Sequence, residues 1–535
     1  MRNNQIPGGP PPGRMAARPY ENVSPSAGAP RGGAAGVLAG GLWLWLLLAQ
    51  AAAAKDVYIA QNTQGNGAAT NAASAQSVSW FNTSANWGSG SGQISPGDTV
   101  HLVGTLTTAL TAQSGGAPGS PITILFEPGA NLTAPYWSPQ AISLQSFSYL
   151  VVDGGVNGLI QCTANGTALA NQAPAAGVGA QGNNITVQNL IITNIYVRTA
   201  GAPDDMRTAG VGFQNSGLTN LIVRNCTISW CFVPIWVGWS GTGNGNIQIY
   251  SNTLYGFNWG IGAGDQQPHS VLNGLYLHNN VINGMTPWDD PSDLNHHNGI
   301  FTWAVQGGST LTNLQVYNNL IGPDFGTPSH ATAGIYISAQ NSVIANPLVY
   351  NNVLYTVSAT YGVPSNGFIS LALVTGGAIF NNTTDGGGGS TQTIGARVFF
   401  GRGVSVMNNI FSNNGLAIYN DGTTTNGTAQ CDYNDYYNDS GNFYYSGGQI
   451  SYASWKGLGY DAHSLTGNPL YVNAPALNFN LQAGSPCINA GASQTAAFST
   501  DLLGNARPSG SGWTIGAYQY GAAPTPPGSL HVMNP

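Results

Sequence analysis

Between Val187 and Tyr436 a hexamer in which apolar or β-branched residues flank Asn recurs nine times. The copies are VQNLII (187–192), VRNCTI (223–228), IYSNTL (249–254), LHNNVI (277–282), VYNNLI (316–321), VYNNVL (349–354), IFNNTT (379–384), VMNNIF (406–411) and a degraded CDYNDY (431–436). Successive copies start 36, 26, 28, 39, 33, 30, 27 and 25 residues apart, too irregular for a helical solenoid and suited to a β-coil with loops of variable length. A second apolar segment follows most copies: GVGFQN (210–215), PIWVGW (234–239), GIGAGD (260–265), GIFTWA (299–304), GIYISA (334–339), GFISLA (367–372) and GLAIYN (415–420). Reading the hexamer as one strand and this segment as another gives each coil at least two strands. Stacked coils pair each strand with its equivalents above and below at about 4.8 Å, so backbone groups are satisfied between coils. The pattern predicts an all-β chain, a single-stranded parallel β-helix or solenoid.

Asn amid apolar strand residues is poor β-forming material, because its amide competes for backbone hydrogen bonds. Repetition changes its value. At the same turn of successive coils, Asn can bond its neighbour's amide along the stack, as identical residues do in cross-β ladders. Asn252, Asn280, Asn319, Asn352, Asn382, Asn409 and Asn434 are expected to form such a ladder, interrupted at Cys226. In the second segment, taking Ile235, Ile261, Ile300 and Ile335 as inward turns the next residue of each coil outward. That column reads Trp236, Gly262, Phe301 and Tyr336, with Trp303 two positions on.

Composition narrows the partners. Only 6% of residues are charged, and 75 are Gly. Arg2, Arg14, Arg18 and Arg31 precede the apolar run VLAGGLWLWLLLA (37–49) and the small residues before Lys55, the order of a secretory signal, with Met15 as an alternative start. The run is short for a membrane span, so cleavage near Ala54 is expected, the alternative being a run that persists as an anchor. Without residues 1–54, eight basic and eighteen acidic residues remain, a formal charge of −10, which argues against binding nucleic acid through its phosphates. The five cysteines lack zinc-ligand spacing; Cys226 and Cys231 could pair, or serve as small buried residues. The expectation is a secreted or cell-surface protein, monomeric and free of the membrane once the signal is removed.

The ends of the chain lack the hexamer. ISPGDTVHLVGTL (94–106) and SGGAPGSPITILFEPGANL (114–132) place Gly/Pro turns between alternating strands, and GNPLYVNAPALNFNLQAGSPCINAGA (467–492) precedes DLLGNARP (501–508) and WTIGAYQY (513–520). With the hexamers, these segments resemble secreted bacterial right-handed parallel β-helix proteins of the pectate lyase-like superfamily over nearly the whole mature chain. The resemblance implies opening coils of the "PGDTV…PITI…PG" kind and a closing segment of the "GSPAID.G…D..G..R…DIGA.E" kind. Asn468, Asn473, Asn489 and Gln519 stand here where acids are usual. The organisation expected is a signal or extension at 1–54, a cap and opening coils at 55–145, β-helix repeats at 146–440, a closing segment at 441–520 and a disordered tail at 521–535. This resemblance speaks for fold; function must be read from a site.

The longest gaps carry the candidate chemistry. The loop NGMTPWDDPSDLNHHN (283–298) holds Asp289, Asp290, Asp293, His296 and His297 in a chain otherwise almost uncharged, and the next coil's loop supplies Asp324 and His330. Both loops enter their strands from the same edge, so His297 and His330 are expected on adjacent coils. Asp-Asp-Pro-Ser-Asp offers hard oxygen ligands of the kind calcium takes, or a series of Asx turns, and no other cofactor is suggested. Outward Trp236, Phe301, Trp303 and Tyr336, with His296, form a candidate sugar-binding face, because pyranose faces stack on rings while hydroxyls find polar side chains; the alternative is aromatic stacking that shields strands.

Two reactions are compared. A lyase needs a base and a positive group for the uronate carboxylate, but Lys55 and Lys456 are the mature lysines and no Arg lies in the Asp/His loop, leaving His297 or His330 as base. A glycosidase usually takes two carboxylates about 5–10 Å apart. Glu127 is the one mature Glu, so Asp290 and Asp293 are the pair favoured by position, with His297 as orienting partner; Asp204 and Asp205 lie some three coils away and Asp265 leaves from the far end of its strand. NHHNGIF (295–301) is similar to the "DGI" strand of polygalacturonase-type hydrolases, with Asn298 in place of the Asp. The expected function is to cleave or bind an extracellular polysaccharide in a groove on the solenoid; the alternative is a non-catalytic adhesive or structural rod.

Overall fold

Alternation along each coil turns one set of side chains inward, and coil after coil these stand over one another. In one sheet the column runs Ile235, Ile261, Ile300, Ile335, Ile369, Ala396 and Ile418, in another Ile185, Leu221, Ile247, Leu275 and Leu314, all buried. Each large aliphatic side chain so placed contributes about 1.5–3 kcal/mol relative to exposure. The computed structural model describes residues 54–164, 175–195, 208–285, 297–326, 333–357, 364, 366–387, 393–421, 427–439 and 441–521. Of the two units into which the chain divides, Met1–Ala51 lies outside these residues, and Ala52–Pro535 contains all of them. Among the described residues, sheets of 15, 12 and 13 strands run the length of the stack. Neighbours pair in parallel except at the last hairpin of the third sheet, Asn442–Tyr445 with Gly448–Ser451. The fold is a single-stranded right-handed parallel β-helix, the hand that parallel crossovers adopt.

The hexamer, expected as a strand, is a corner. In LHNNVI, Leu277 and His278 end the first-sheet strand Val271–His278, and Val281 opens the second-sheet strand Val281–Met285. A third-sheet strand comes next, so a coil has three strands. The two corner positions have separate duties. The first takes left-handed backbone, with φ near 55° at Asn225, Ser251, Asn279, Asn318 and Asn351, a conformation that Asn tolerates better than most residues. The second forms the ladder. Asn319 Oδ1 accepts from both the backbone N and Nδ2 of Asn280 at 3.0 Å, while Asn319 Nδ2 donates to Asn352 Oδ1 at 2.9 Å and to Leu277 O at 3.0 Å. The same bonds join Asn252 to Asn280, Asn352 to Asn382, Asn382 to Asn409 and Asn409 to Asn434. At one end Cys226 N donates to Asn252 Oδ1, and at the other Asn434 N donates to Ser464 Oγ.

Short elements cover the ends. The helix Val78–Phe81, capped by Ser77, packs Phe81 edge-on against Trp87, and both join the core of the first coils. The helix Tyr452–Gly457 buries Trp455, whose Nε1 donates to Asp461 Oδ2 at 2.7 Å. Residues 467–521 then turn back along the outside as a strap over the second sheet and its corner. The strap packs Phe479, Leu502 and Ala517 on Leu320, Val353 and Tyr355, and Leu481, Cys487 and Ile515 on Ile410. The first corner Asn residues of the late coils hold it: Asn351 Nδ2 donates to Thr500 O, Asn381 Nδ2 to Thr514 O and Asn408 Nδ2 to Ala492 O. Buried Arg507 binds Asn351 Oδ1 and Gln519 Oε1. Gln519, found where an acid is usual, thus accepts from Arg507 without neutralising it, and burial brings that guanidinium down to about 10. Cys226 and Cys231 are buried thiols bonded to backbone carbonyls of their own coil, not a disulfide.

Two unfolding measurements test these roles. Asn319→Ala leaves the amide groups of Asn280 and Asn352 without their partner, and should cost about 2–4 kcal/mol in guanidinium unfolding, whereas Asn279→Gly at the left-handed position should be close to neutral. The second measurement concerns Asp435, buried under the strap, which accepts from Cys487 Sγ at 3.2 Å and Gly467 N at 3.1 Å. Burial raises its pKa to about 6, and burial pushes neighbouring Asp385 and Asp439 upward too. Folded Asp435 therefore keeps a proton the unfolded chain has released, so its share of the stability, about 3 kcal/mol, should be lost as pH rises from about 4 to about 6. Unfolding curves across that range should show the slope flattened in Asp435→Asn.

Candidate functional site

Corner length between the second and third sheets decides where the surface opens. Two consecutive coils have one-residue corners: Phe232 between Thr227–Cys231 and Val233–Ser240, and Asn258 between Thr253–Phe257 and Trp259–Asp265. The coils on either side carry long connections there, residues 194–208 and 286–297. The short pair carries a cleft of about 260 Å³, lined among the described residues by Ala209, Gln214, Phe232, Val233, Trp236, Trp259 and Gln266. That volume stands near the small end of ligand clefts.

Glycine sets the shape of this floor. In WGIGAGD (259–265) the outward positions are Gly262 and Gly264, in register with Trp236 and Gly238 of the coil before and Phe301 and Trp303 of the coil after. A β-carbon at Gly262 would stand 3.0 Å from the Trp236 ring, and one at Gly264 would overlap the Trp303 indole. With neither present, Trp236 and Trp303 meet across the intervening coil, ring centroids 5.3 Å apart. Trp259 packs edge-on against Phe232, Phe301 and Trp303, and Phe301 stacks on Tyr336. The offset and edge-on arrangements are those aromatic quadrupoles prefer.

The predicted outward column is present in register, yet not as a row of exposed rings. Phe301 and Trp303 are only 8% and 7% exposed because they cover one another and Trp259; Trp236 and Tyr336 are half-buried. The expectation of freely exposed aromatics is corrected to a packed cluster with Trp236 at its accessible edge. Phe232, Trp259, Gln214 and Gln266 were not anticipated. Their signal was in the spacing: the short intervals 26 and 28 between hexamers stand between 36 and 39.

Of the proposed chemistry, Asp289, Asp290, Asp293, His296 and His330 lie outside the described residues, as do Asp204 and Asp205. His297 is described and fully buried at the head of the strand Asn298–Ala304. Asn298, at the "DGI" position, is also buried and accepts from Ala333 N of the next coil. Asp324 accepts from Gly326 N as an Asx turn, its pKa raised by burial, and its carbonyl receives Gly284 N and Met285 N. Asp265 is committed to structure: its carboxylate accepts Val305 N and Gln306 N at 2.9 Å each, holding the next coil's turn. Among the described residues no group of three or more His, Cys, Asp or Glu is arranged to hold a metal, and no helix is long and apolar enough to cross a membrane.

No family model matches the chain, and a search of curated proteins finds no relative. Solved structures with a similar course include pectate lyase Pel9A, at 15% identity over 87% of this chain and 96% of that one, with a TM-score of 0.43. XylC in complex with xylose is 10% identical over 87% and 98%, with a TM-score of 0.48. GH136 lacto-N-biosidase from Eubacterium ramulus is 13% identical over 66% and 67%, with a TM-score of 0.37. At these values the assignment of the fold stands on the strand pairing itself.

Because the aromatic cluster rests on bare glycine, Gly264→Ala should drive Trp303 from its seat. The expected result is a loss of about 1–3 kcal/mol of stability and a changed near-ultraviolet circular dichroism spectrum in the tryptophan region, with far-ultraviolet signal retained.

Proposed function

We propose that the protein is exported and holds an extracellular polysaccharide in the cleft over its two short coils. The observation that carries this reading is the placement of Trp236 and Trp259, with the amides of Gln214 and Gln266, in one opening on the two short coils. Rings take the apolar faces of pyranoses, and amides can donate to and accept from hydroxyls. In this reading Asp290 and Asp293 act as the acid and base or nucleophile of glycosidic cleavage, His297 orients them, and His330 and His296 flank the substrate with Tyr336 and the Phe301–Trp303 pair behind.

A second reading has a specific observation in its favour. The described lining of the cleft is aromatic and amide, and the nearby described carboxylate, Asp265, is fully engaged by backbone. A face of that kind binds sugar without cutting it. The two readings separate in one experiment. Neutral glycans, pectin and alginate are screened with the full chain for binding, for new reducing ends and for absorbance near 235 nm from unsaturated products. Trp236→Ala should weaken binding about tenfold. Turnover abolished by Asp290→Ala or His297→Ala, with binding kept, establishes the enzyme. Binding with no turnover establishes the non-catalytic rod, and failure to bind any of these glycans removes both.

A further inference from the structure

At the end of the second-sheet strand, one step past the paired residues Thr193, Ser229, Tyr255 and Asn283, four successive coils place a residue in left-handed backbone. The residues are Asn194, Trp230, Gly256 and Gly284, with φ of 58, 52, 64 and 72°. Asn and Gly accept that conformation; a bulky aromatic residue does so against its backbone preference. Trp230 is nonetheless seated with care. A β-carbon at Gly256 would stand 3.0 Å from its indole, so the glycine of the next coil is the floor on which the ring lies. Trp230 is 39% exposed and Tyr255, beside that floor, 38%. Strain kept at an exposed aromatic is a pointer to use.

Its position gives the use. Only Phe232 separates this strand from the third-sheet strand that carries Trp236, so Trp230 and Trp236 stand on either side of a single corner, at most ~20 Å apart along the extended chain. We infer that Trp230, with Tyr255, is a second stacking platform that carries a pyranose chain out of the cleft and around the corner onto the second-sheet face. The glycan then crosses the coils instead of following the solenoid axis. This inference rests on the glycan reading of the cleft.

The test compares the full-length wild-type chain with Trp230→Gly and Trp236→Ala, titrated with soluble xylan, mixed-linkage β-glucan and galactomannan and with their oligosaccharides of increasing length. Glycine suits the backbone at 230, so Trp230→Gly should melt no lower than wild type. Its affinity for long chains should fall about tenfold while that for the shortest oligosaccharides is unchanged, so that the gain in affinity with length disappears. Long-chain affinity equal to wild type in Trp230→Gly, with Trp236→Ala impaired, overturns the second platform and leaves the cleft. Binding untouched by either substitution, or absent in the wild type, overturns the cleft reading and this one with it.

Discussion

The structure depends on satisfying backbone groups where parallel strands turn. A sheet supplies partners along its strands, but a corner interrupts the pairing in every coil, and a buried unpaired amide costs about 1–3 kcal/mol. The stack repeats its corners vertically, so a partner must come from the same corner one coil away. Asn meets this need because one side-chain oxygen accepts two donors from the coil before while its NH₂ reaches carbonyls on that side and the oxygen beyond. The ladder also fixes register. A coil that slipped by one residue would put the amide out of line and turn its apolar set to solvent together.

With register fixed by one corner, the other corners are free to vary, and the cleft is a product of that freedom. It arises where chain is left out: Phe232 and Asn258 alone connect strands that the coils on either side join by residues 194–208 and 286–297. Leaving out side chains completes it. Gly262 and Gly264 remove one layer from the outward surface, and aromatic rings from the coils above and below close over the gap. The third-sheet face is therefore strong in cross-coil ring contacts at the place where it offers an opening, which keeps Trp236 fixed without further support from charge.

Much of this was legible. The hexamer marked nine of the coils and their vertical order, and the ladder from Asn252 to Asn434 lies where repetition placed it. The third strand was not visible because the hexamer straddles two strands, and an apolar pair on each side of Asn-Asn reads equally as strand or corner. The inward and outward sides of the third sheet followed from alternation, whereas the burial of Phe301 and Trp303 depended on Gly264, a contact between residues about forty positions apart with no local signal. Asp265 illustrates the opposite case. An acid at a strand end invites a chemical role, yet its oxygens are taken by Val305 and Gln306 of the following coil, a loop closure that only the stack reveals.

The strap accounts for the asymmetry between the two halves of the second-sheet face. On the late coils Leu320, Val353 and Ile410 are buried because Phe479, Leu502, Ala517, Leu481 and Ile515 cover them. The earlier coils present the same positions uncovered, with Ile191 and Tyr255 exposed. The strap's docking groups lie on the late coils. Asn351, Asn381 and Asn408 hold it through side-chain bonds to its carbonyls, and Arg507 adds a further bond to Asn351, so its grip is confined to the late coils. Trp230 and Tyr255 adjoin the two short corners. The same C-terminal segment that shields the late coils thus leaves Ile191, Trp230 and Tyr255 of the early coils exposed, and confines its apolar contacts to one half of the face.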